Sequence, residues 1–419
     1  METTTMIQTG QTSPQEIRQT APTTLEELLE PFSLSDFFDL FGENFIYVPG
    51  VEGKFSGLFP WEVLNTVLRQ HRLHHPRLRV FRNGELVPSS KYLKTNTGRK
   101  SRSTVSRMMP AELISQLQKG ATLVVDAVDE LYDPLTDLAA ALELVFKEHI
   151  QVNLYAGWHT SPGFNVHWDD HDVLILQLSG RKAWAVYGET RKHPLANDVV
   201  KDKTPPEKPI WEATISDGDL LYLPRGFWHV ATPLDEPSLH LTFGIPNRTG
   251  VDLFTWFARQ LRNEEIFRKD LPKFKSDEDR KAHYEHLFDT AKQRFTDDLI
   301  AEYWTEHDGN ASPRIRLNLP DIASKNYIDN LLDRSFILAT PRKLKVATNG
   351  NSLMIKANKK EFRFPVEARA VLETLDHRKP TSMADLVEAA AGTIDATGVS
   401  SLLKKLLTDG IITALPPAK

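Results

Sequence analysis

The residues best suited to chemistry in this sequence are two histidines and one aspartate, His167, Asp169 and His229. His167 and Asp169 belong to the extended run NVHWD, and residues two apart on a strand project from the same face. His229 follows about sixty residues later, after a turn at 217–219 that leads into LLYLPRGFWHV. Two imidazoles and one carboxylate leave up to three positions open on a metal ion, which suits non-haem Fe(II) in an oxygenase.

A lone H-x-D pair is a weak signal, since most such histidines are structural or lie on the surface. The second histidine, reached through a G-D-x-x-Y-x-P turn within a predicted β-barrel, makes a metal site the better interpretation. Catalytic zinc in a hydrolase uses a similar donor set, but the chain has no H-E-x-x-H motif. His167 and His171 form an H-x-x-x-H pair, a spacing that binds zinc when it lies on a helix. This segment is predicted to be extended, and four strand residues span about 13 Å, which is too far for two ligands of one ion. His171 is therefore left out of the ligand set.

A lysine in the run RKAWAVY is the second informative residue. Lys182, Trp184 and Val186 share one face of a strand, so an internal Trp184 implies an internal Lys182. A buried ammonium usually finds an anion or loses its proton, although a lysine can also reach the rim of a barrel. We expect Lys182 to bind the distal carboxylate of 2-oxoglutarate, the cosubstrate of Fe(II) oxygenases with this architecture.

Short strand-like runs dominate the centre of the chain, between Gln151 and Ile245. They are VNLYAGW, FNVHW, DVLILQL, KAWAVYG, LLYLP, WHVAT and LHLTFGI, separated by Gly, Pro and Asp turns. Seven such runs predict a β-sandwich or barrel. The whole chain is therefore expected to be mainly β with helices: a double-stranded β-helix, then a helical segment, then a winged-helix-like domain.

The composition shifts along the chain predict four regions. Residues 1–24 are rich in Thr, Gln and Ser and predict a disordered tail, and residues 25–248 hold the β-rich catalytic domain with helical elements at its start. Residues 249–328 have helical periodicity. Residues 329–419 combine strand-like and helical runs in a winged-helix-like order.

Composition excludes several classes of protein. The chain has 419 residues and no cysteine, which excludes disulfide frameworks, zinc ribbons, iron–sulfur clusters and thiol nucleophiles. No window approaches about 18 consecutive apolar residues, so no membrane span is expected. The first residues lack the apolar core of a secretory signal, and the cytoplasm is the expected location.

Two basic features stand out from a net charge of −5. Residues 91–107 carry six Lys or Arg and no acid, which fits either a solvated loop or a contact surface for an acidic partner. Residues 342–419 carry 13 basic and 8 acidic residues, so this part is about +5 and the remainder about −10. The last predicted helix, LLKKLLTDG, has no dense basic run, and nucleic acid is therefore not the expected partner.

The segment HWDDHDVLILQLSGRKAW, with its lysine fifteen residues after the first histidine, resembles the JmjC-type ribosomal oxygenases of the cupin superfamily. The resemblance implies a homodimeric Fe(II)- and 2-oxoglutarate-dependent enzyme that uses O2 to hydroxylate histidine or arginine side chains of ribosomal proteins. By position, His167, Asp169 and His229 match the iron ligands. Lys182 matches the residue that binds 2-oxoglutarate.

The resemblance also suggests residues that contact the substrate. Asn153 and Tyr155 match polar residues of the histidine-hydroxylating members, and His240 and Thr242 share one face of a late strand. We expect His240 to contact the substrate and Thr242 the cosubstrate, the alternative being a core histidine and a satisfied threonine. Where those members have a serine, this chain has Gly244, so histidine is in doubt as the target residue.

Other functions stay open at this stage. The substrate could be a precursor peptide of a natural product or a small amino-acid derivative instead of a ribosomal protein. A non-catalytic, metal-binding cupin that docks a protein is an alternative of a different class. Lysine demethylation is suggested by superfamily analogy alone.

Overall fold

The computed structural model of the chain describes residues 21–97, 104–198, 204–319, 321–323 and 333–415. The chain forms two compact units, the first ending at Asn247 and the second beginning at Arg248. Most of the predicted disordered tail and the centre of the basic segment 91–107 lie outside the described residues. Among the described helices, none has the length and apolar character needed to cross a bilayer. The four predicted domain boundaries stay predictions.

The first unit contains five helices and thirteen strands among its described residues. The helices are α1 Leu25–Leu29, α2 Leu34–Leu40, α3 Trp61–Gln70, α4 Pro110–Gln118 and α5 Asp133–Phe146. The strands are β1 Ile46–Val48, β2 Leu78–Arg82, β3 Glu85–Leu86, β4 Leu93–Thr97, β5 Thr104–Met108, β6 Thr122–Val125, β7 Gln151–Gly157, β8 Asp172–Ser179, β9 Lys182–Glu189, β10 Trp211–Ile215, β11 Leu220–Leu223, β12 Phe227–Pro233 and β13 Ser238–Ile245.

Two antiparallel sheets organise this unit. The larger has the strand order β1-β11-β8-β13-β7-β6-β2-β3, and the smaller has the order β10-β9-β12. Strand β8 explains how they pack, because both of its faces are buried. Leu174 and Leu176 enter the core shared with the helices, whereas Val173 and Ile175 pack with Trp184 of the smaller sheet. A continuous apolar run such as DVLILQL is expected of a strand buried on both sides.

The mainly β fold with helices is as predicted, but two local predictions were wrong. The run FNVHW forms no strand: only His167 pairs, through one bridge to His229. Strand β12, which contains His229, has a bulge between Trp228 and His229. A bulge interrupts hydrogen-bonded pairing, so the segment around His167 does not form a continuous ladder with this strand. Strand β10 was missed, because its middle residues are partly exposed and its alternation is weak.

The second unit has helices α6 Gly250–Gln260, α7 Glu265–Arg268, α8 Asp277–Arg294, α9 Asp297–Gly309, α10 Arg369–Thr374, α11 Met383–Ala389 and α12 Ala396–Thr408. Its strands are β14 Ser335–Leu338, β15 Ala347–Asn349, β16 Ser352–Ala357, β17 Lys360–Pro365, β18 Thr381–Ser382 and β19 Ile412–Leu415. They form two sheets with the orders β18-β14-β19 and β15-β16-β17. Helix α12 contributes Val399, Leu403 and Leu406 to one core with these sheets, as its apolar spacing requires.

Candidate metal centre

A cavity of about 300 Å³ lies between the two sheets of the first unit. Strands β7 and β13 of the larger sheet line it with Asn153, Tyr155, His240 and Thr242. These four share a face because Asn153 pairs with Thr242 and Tyr155 with His240 across the ladder. The smaller sheet closes the other side. The predicted co-facial residues therefore do converge on one space.

The three predicted metal ligands meet at this cavity. One potential ligand atom from each of His167, Asp169 and His229 lies within 4.8 Å of the other two. The Nε2 atoms of His167 and His229 lie 3.9 and 3.7 Å from the two carboxylate oxygens of Asp169. The bridge between the two histidines holds their backbones together, and Gly226 donates a backbone hydrogen bond to the Asp169 carbonyl at 3.0 Å.

Hydrogen bonds orient both imidazoles for metal binding. Nδ1 of His167 donates to the Asn165 carbonyl, and Nδ1 of His229 donates to the Phe227 carbonyl, each at 2.9 Å. A neutral imidazole that donates from Nδ1 carries its lone pair on Nε2. Both lone pairs are therefore on the atoms nearest Asp169, and backbone acceptors of this kind usually support metal-ligating histidines.

The electrostatics of the cluster fit a divalent cation. Burial lowers the pKa of His229 to about 4, and the neighbouring His167 adds to the effect. Burial by itself would raise the pKa of Asp169, but His229, His167 and His171 together hold it below its usual range. The carboxylate is therefore ionised beside a neutral His229. A set of two nitrogens and one anionic oxygen fits Fe(II) and also zinc.

Lys182 is internal, as its spacing from Trp184 predicts. The two residues are 3% and 5% exposed and line the cavity. Burial lowers the pKa of Lys182 to about 7. Its Nζ lies 3.1 Å from Nδ1 of His240, and burial together with Lys182 lowers the pKa of His240 well below its usual value. A neutral His240 thus accepts a hydrogen bond from the lysine.

The residues predicted to contact the substrate line the same cavity but already have internal partners. The Asn153 side-chain oxygen accepts from the Ala127 amide at 3.1 Å and from Gln151 Nε2 at 2.9 Å. The Tyr155 ring stacks on His240 with centroids 4.8 Å apart, and burial raises the pKa of its hydroxyl. His240 lies beside Lys182 and can support it, and the substrate contact predicted for His240 stays a prediction.

Sequence reasoning missed two basic residues that line the cavity. Arg79 on β2 pairs with Asp126 at 2.6 Å, and nothing local in LRVFR signals that position. His171 also lines the cavity, on the side of Val173 and Ile175. Because side chains alternate along a strand, His171, Val173 and Ile175 are expected to share one face, and this spacing could have predicted His171 on the cavity wall. The sequence analysis considered His171 only as a metal ligand.

The tight turn between β2 and β3 lies against Asn165, the residue whose carbonyl accepts a hydrogen bond from His167. Asn83 and Gly84 connect β2 to β3 with φ values of 53° and 77°, as a two-residue turn of this type requires. A Cβ added at Gly84 would lie 2.4 Å from Cγ of Asn165. Asn165 thus lies against the hairpin through its side chain and accepts from His167 through its carbonyl, and we expect the hairpin to help position His167.

We expect Gly84→Ala to weaken metal binding about tenfold, because loss of an outer partner of a ligand typically costs 10–100-fold in affinity. Titration of the protein with Mn(II) would measure the effect. Gly350→Ala is the matched control: this turn glycine also has a positive φ, 58°, but its Cβ would contact nothing within 4 Å. Equal affinities in the two variants would show that the hairpin contact does not orient His167.

Comparison with known protein families identifies a JmjC domain in the part of the chain that forms most of this cavity. The family model of the JmjC domain matches residues 131–253. That range includes strands β7 to β13 and all three residues of the candidate metal centre.

Curated relatives share part of the chain. The Dictyostelium discoideum bifunctional lysine-specific demethylase and histidyl-hydroxylase NO66 is 27% identical over 323 residues, which cover 73% of this chain and 60% of that protein. Ribosomal oxygenase 1 of Gallus gallus is 30% identical over 197 residues, or 46% of this chain and 31% of that protein. The chain thus spans less than two thirds of the length of these relatives.

Solved structures share the fold over nearly the whole chain. The crystal structure of the Escherichia coli ribosomal oxygenase YcfD has a TM-score of 0.58 at 17% identity, covering 92% of this chain and 98% of that one. A structure of YcfD with cobalt and 2-oxoglutarate has a TM-score of 0.54. The mainly β architecture with helical segments is therefore the architecture of these proteins.

Proposed function

Because this chain belongs to the JmjC-type ribosomal oxygenase family, we propose that it is an Fe(II)- and 2-oxoglutarate-dependent oxygenase that hydroxylates an amino-acid side chain of a protein or peptide. The observation that carries the proposal is the convergence of His167, Asp169 and His229 beside the buried cation of Lys182. When bound, iron and 2-oxoglutarate supply the oxidation of a C–H bond by O2, with succinate and CO2 as by-products.

The residues of the chain hold and orient these groups. Nε2 of His167, a carboxylate oxygen of Asp169 and Nε2 of His229 would bind the metal ion. Lys182 would bind the distal carboxylate of 2-oxoglutarate, and Thr242 of the larger sheet, which lines the same cavity, would contact the cosubstrate as well. A carboxylate that reaches Lys182 stabilises its charged form, which burial alone disfavours.

We propose that the target side chain is uncharged, with histidine of a ribosomal protein as the favoured case. Among the described residues that line the cavity, Asp169 is the one carboxylate, and it is assigned to the metal. A target arginine or lysine would need a free acid there, whereas the lining already includes the cations Arg79 and Lys182. The relatives named histidyl-hydroxylases have this target chemistry.

The alternatives account for less of the cavity. A zinc hydrolase or a non-catalytic cupin gives no reason for an ammonium buried to 3% exposure beside a metal site. A precursor peptide or a small amino-acid derivative would use the same residues as a ribosomal protein. These substrates therefore differ from a ribosomal protein in size, but the reaction at the metal centre would be the same.

The assembly and location follow from the family and stay predictions. We propose a homodimer formed by the helices that follow Arg248, and the exposure of Phe254, Phe274 and Phe288 at 59%, 97% and 76% supports it. The C-terminal residues are proposed to form a winged-helix-like domain that does not bind nucleic acid. A cytoplasmic location is likewise proposed.

Mass spectrometry tests the proposed reaction. Intact ribosomal proteins, incubated with the protein, Fe(II), 2-oxoglutarate and air, are expected to gain the mass of one oxygen atom on a histidine. The same mixture without 2-oxoglutarate is the control. Hydroxylation of an arginine would contradict the uncharged target, and succinate formation with no modified protein or peptide would contradict protein hydroxylation itself.

A further inference from the structure

His171 lines the cavity and has no role in the proposal made so far. It directly precedes β8 and lies two residues before Val173, so that both project into the cavity. Val173 pairs with Gly244 of β13 across the ladder. His171 and Gly244 are therefore neighbours on the cavity wall that the larger sheet forms.

The glycine at position 244 is explained by this neighbour. A Cβ there would lie 3.1 Å from both Cδ2 and Nε2 of His171, closer than ordinary van der Waals contact. The φ angle of Gly244 is not positive, so its backbone does not require glycine, and glycine weakens a strand. Without a Cβ, the Nε2 edge of the His171 ring stays uncovered toward the cavity.

The opposite edge of the ring is fixed. Nδ1 of His171 donates to a carboxylate oxygen of Asp170 at 2.9 Å. A neutral imidazole held in this way presents Nε2 as a hydrogen-bond acceptor. The cavity wall thus offers Nε2 of His171 as an oriented hydrogen-bond acceptor. A side chain at position 244 would lie against this atom.

We propose that His171 is a specificity-determining residue whose Nε2 accepts a hydrogen bond from an N–H of the target side chain, and that Gly244 keeps this atom accessible. The inference rests on the proposed function and deepens it, since it assigns the recognition of an uncharged N–H donor such as imidazole. It also accounts for the absence of a hydroxyl at 244, because the ring of His171 supplies a polar contact at the same wall.

Two substitutions of His171 test the contact. The probe is the shortest ribosomal peptide that the unchanged protein hydroxylates. His171→Ala should raise the KM of this peptide, and its Kd measured by fluorescence anisotropy with Mn(II) in place of iron, about tenfold, the usual cost of leaving one donor without a partner. His171→Gln should recover part of the loss, because its amide oxygen can accept. The KM for the cosubstrate should not change.

His159→Ala is the matched control. His159 also pairs with an aspartate at 2.9 Å, Asp235, but it does not line the cavity. This variant should leave both the KM and the Kd of the peptide unchanged. An effect equal to that of His171→Ala would mean that loss of any histidine–aspartate pair in this unit disturbs the site, which would overturn the inference.

Gly244→Ala tests the second half of the proposal. With His171 present, the new methyl group should raise the peptide KM about as much as His171→Ala and lower the melting temperature. In the His171→Ala background, it should add no further loss and should raise the melting temperature, because the strand gains a side chain without a clash. The same change in KM in both backgrounds would overturn the role of Gly244.

The outcomes separate this inference from the proposed function. A peptide that is hydroxylated equally well by the unchanged protein and by His171→Ala, with equal Kd, overturns the inference and leaves the oxygenase proposal standing. If the unchanged protein hydroxylates no ribosomal protein or peptide, the proposed function is overturned and the inference with it.

Discussion

His167→Ala and Asp169→Ala are expected to abolish turnover of 2-oxoglutarate and to weaken metal binding by at least about a hundredfold. Loss of an outer partner of a metal ligand alone costs 10–100-fold, and these substitutions remove a ligand itself. For Asp169 the loss includes the only carboxylate among the described residues that line the cavity. Succinate release measures turnover, and titration with Mn(II) measures affinity without relying on activity.

Asp169→Asn refines the first test, because it keeps the size of the side chain and removes its charge. We expect it to bind metal more weakly than the unchanged protein and to turn over little or no 2-oxoglutarate. His193→Asn serves as the control: this histidine is exposed, and its positive φ of 45° is one that asparagine tolerates. Undiminished turnover in either Asp169 variant would refute the ligand assignment.

Lys182→Met is expected to raise the KM for the cosubstrate, 2-oxoglutarate, by about two to four orders of magnitude. Methionine keeps most of the volume and removes the charge, so that the distal carboxylate loses its partner. Breaking a buried ion pair on one side costs about 3–5 kcal/mol, which corresponds to this range. An unchanged KM in steady-state kinetics would mean that another cation binds the cosubstrate.

The same substitution should stabilise the protein in the absence of 2-oxoglutarate. The Lys182 pKa falls from 10.5 to about 7 on burial, so the unfolded chain holds this proton over a pH range in which the folded chain has released it. Stability rises with pH wherever the unfolded state binds more protons. The contribution of Lys182 is therefore least favourable below about pH 7 and improves up to about pH 10.5.

Urea unfolding of the two proteins across this range checks the sign. Lys182→Met should be the more stable protein at pH 7, and the difference should shrink toward pH 10. A 2-oxoglutarate concentration that saturates the unchanged protein but lies far below the raised KM of Lys182→Met should shift the difference in favour of the lysine form, since only that form then gains from binding. A difference that does not depend on pH would show that Lys182 is charged in both states of the chain.

The sequence predicted which side chains meet at the candidate centre better than it predicted the local structure that holds them. The residue types His167, Asp169 and His229 were sufficient, because two imidazoles and one carboxylate define a metal site in any backbone that lets them meet. The strand assumed for NVHWD was wrong. A single bridge to the bulged strand β12 holds His167 instead.

Lys182 shows where reasoning from sequence works well. Its internal position follows from its spacing to Trp184, because alternation along one strand is a local property that the sequence carries in full. The same alternation placed Asn153 with Tyr155 and His240 with Thr242 on the cavity wall. It could not show that His240 would turn its Nδ1 toward Lys182.

By itself, the sequence determined the mainly β fold, the three candidate ligands and the buried cation, because residue type and a period of two are properties of short segments. The tertiary structure decided that Gly84 abuts Asn165, that Arg79 reaches the cavity and that the ring of His171 covers Gly244. Each of these contacts joins segments far apart in the chain. Their existence depends on strand register and loop path, which arise only when the two sheets pack together.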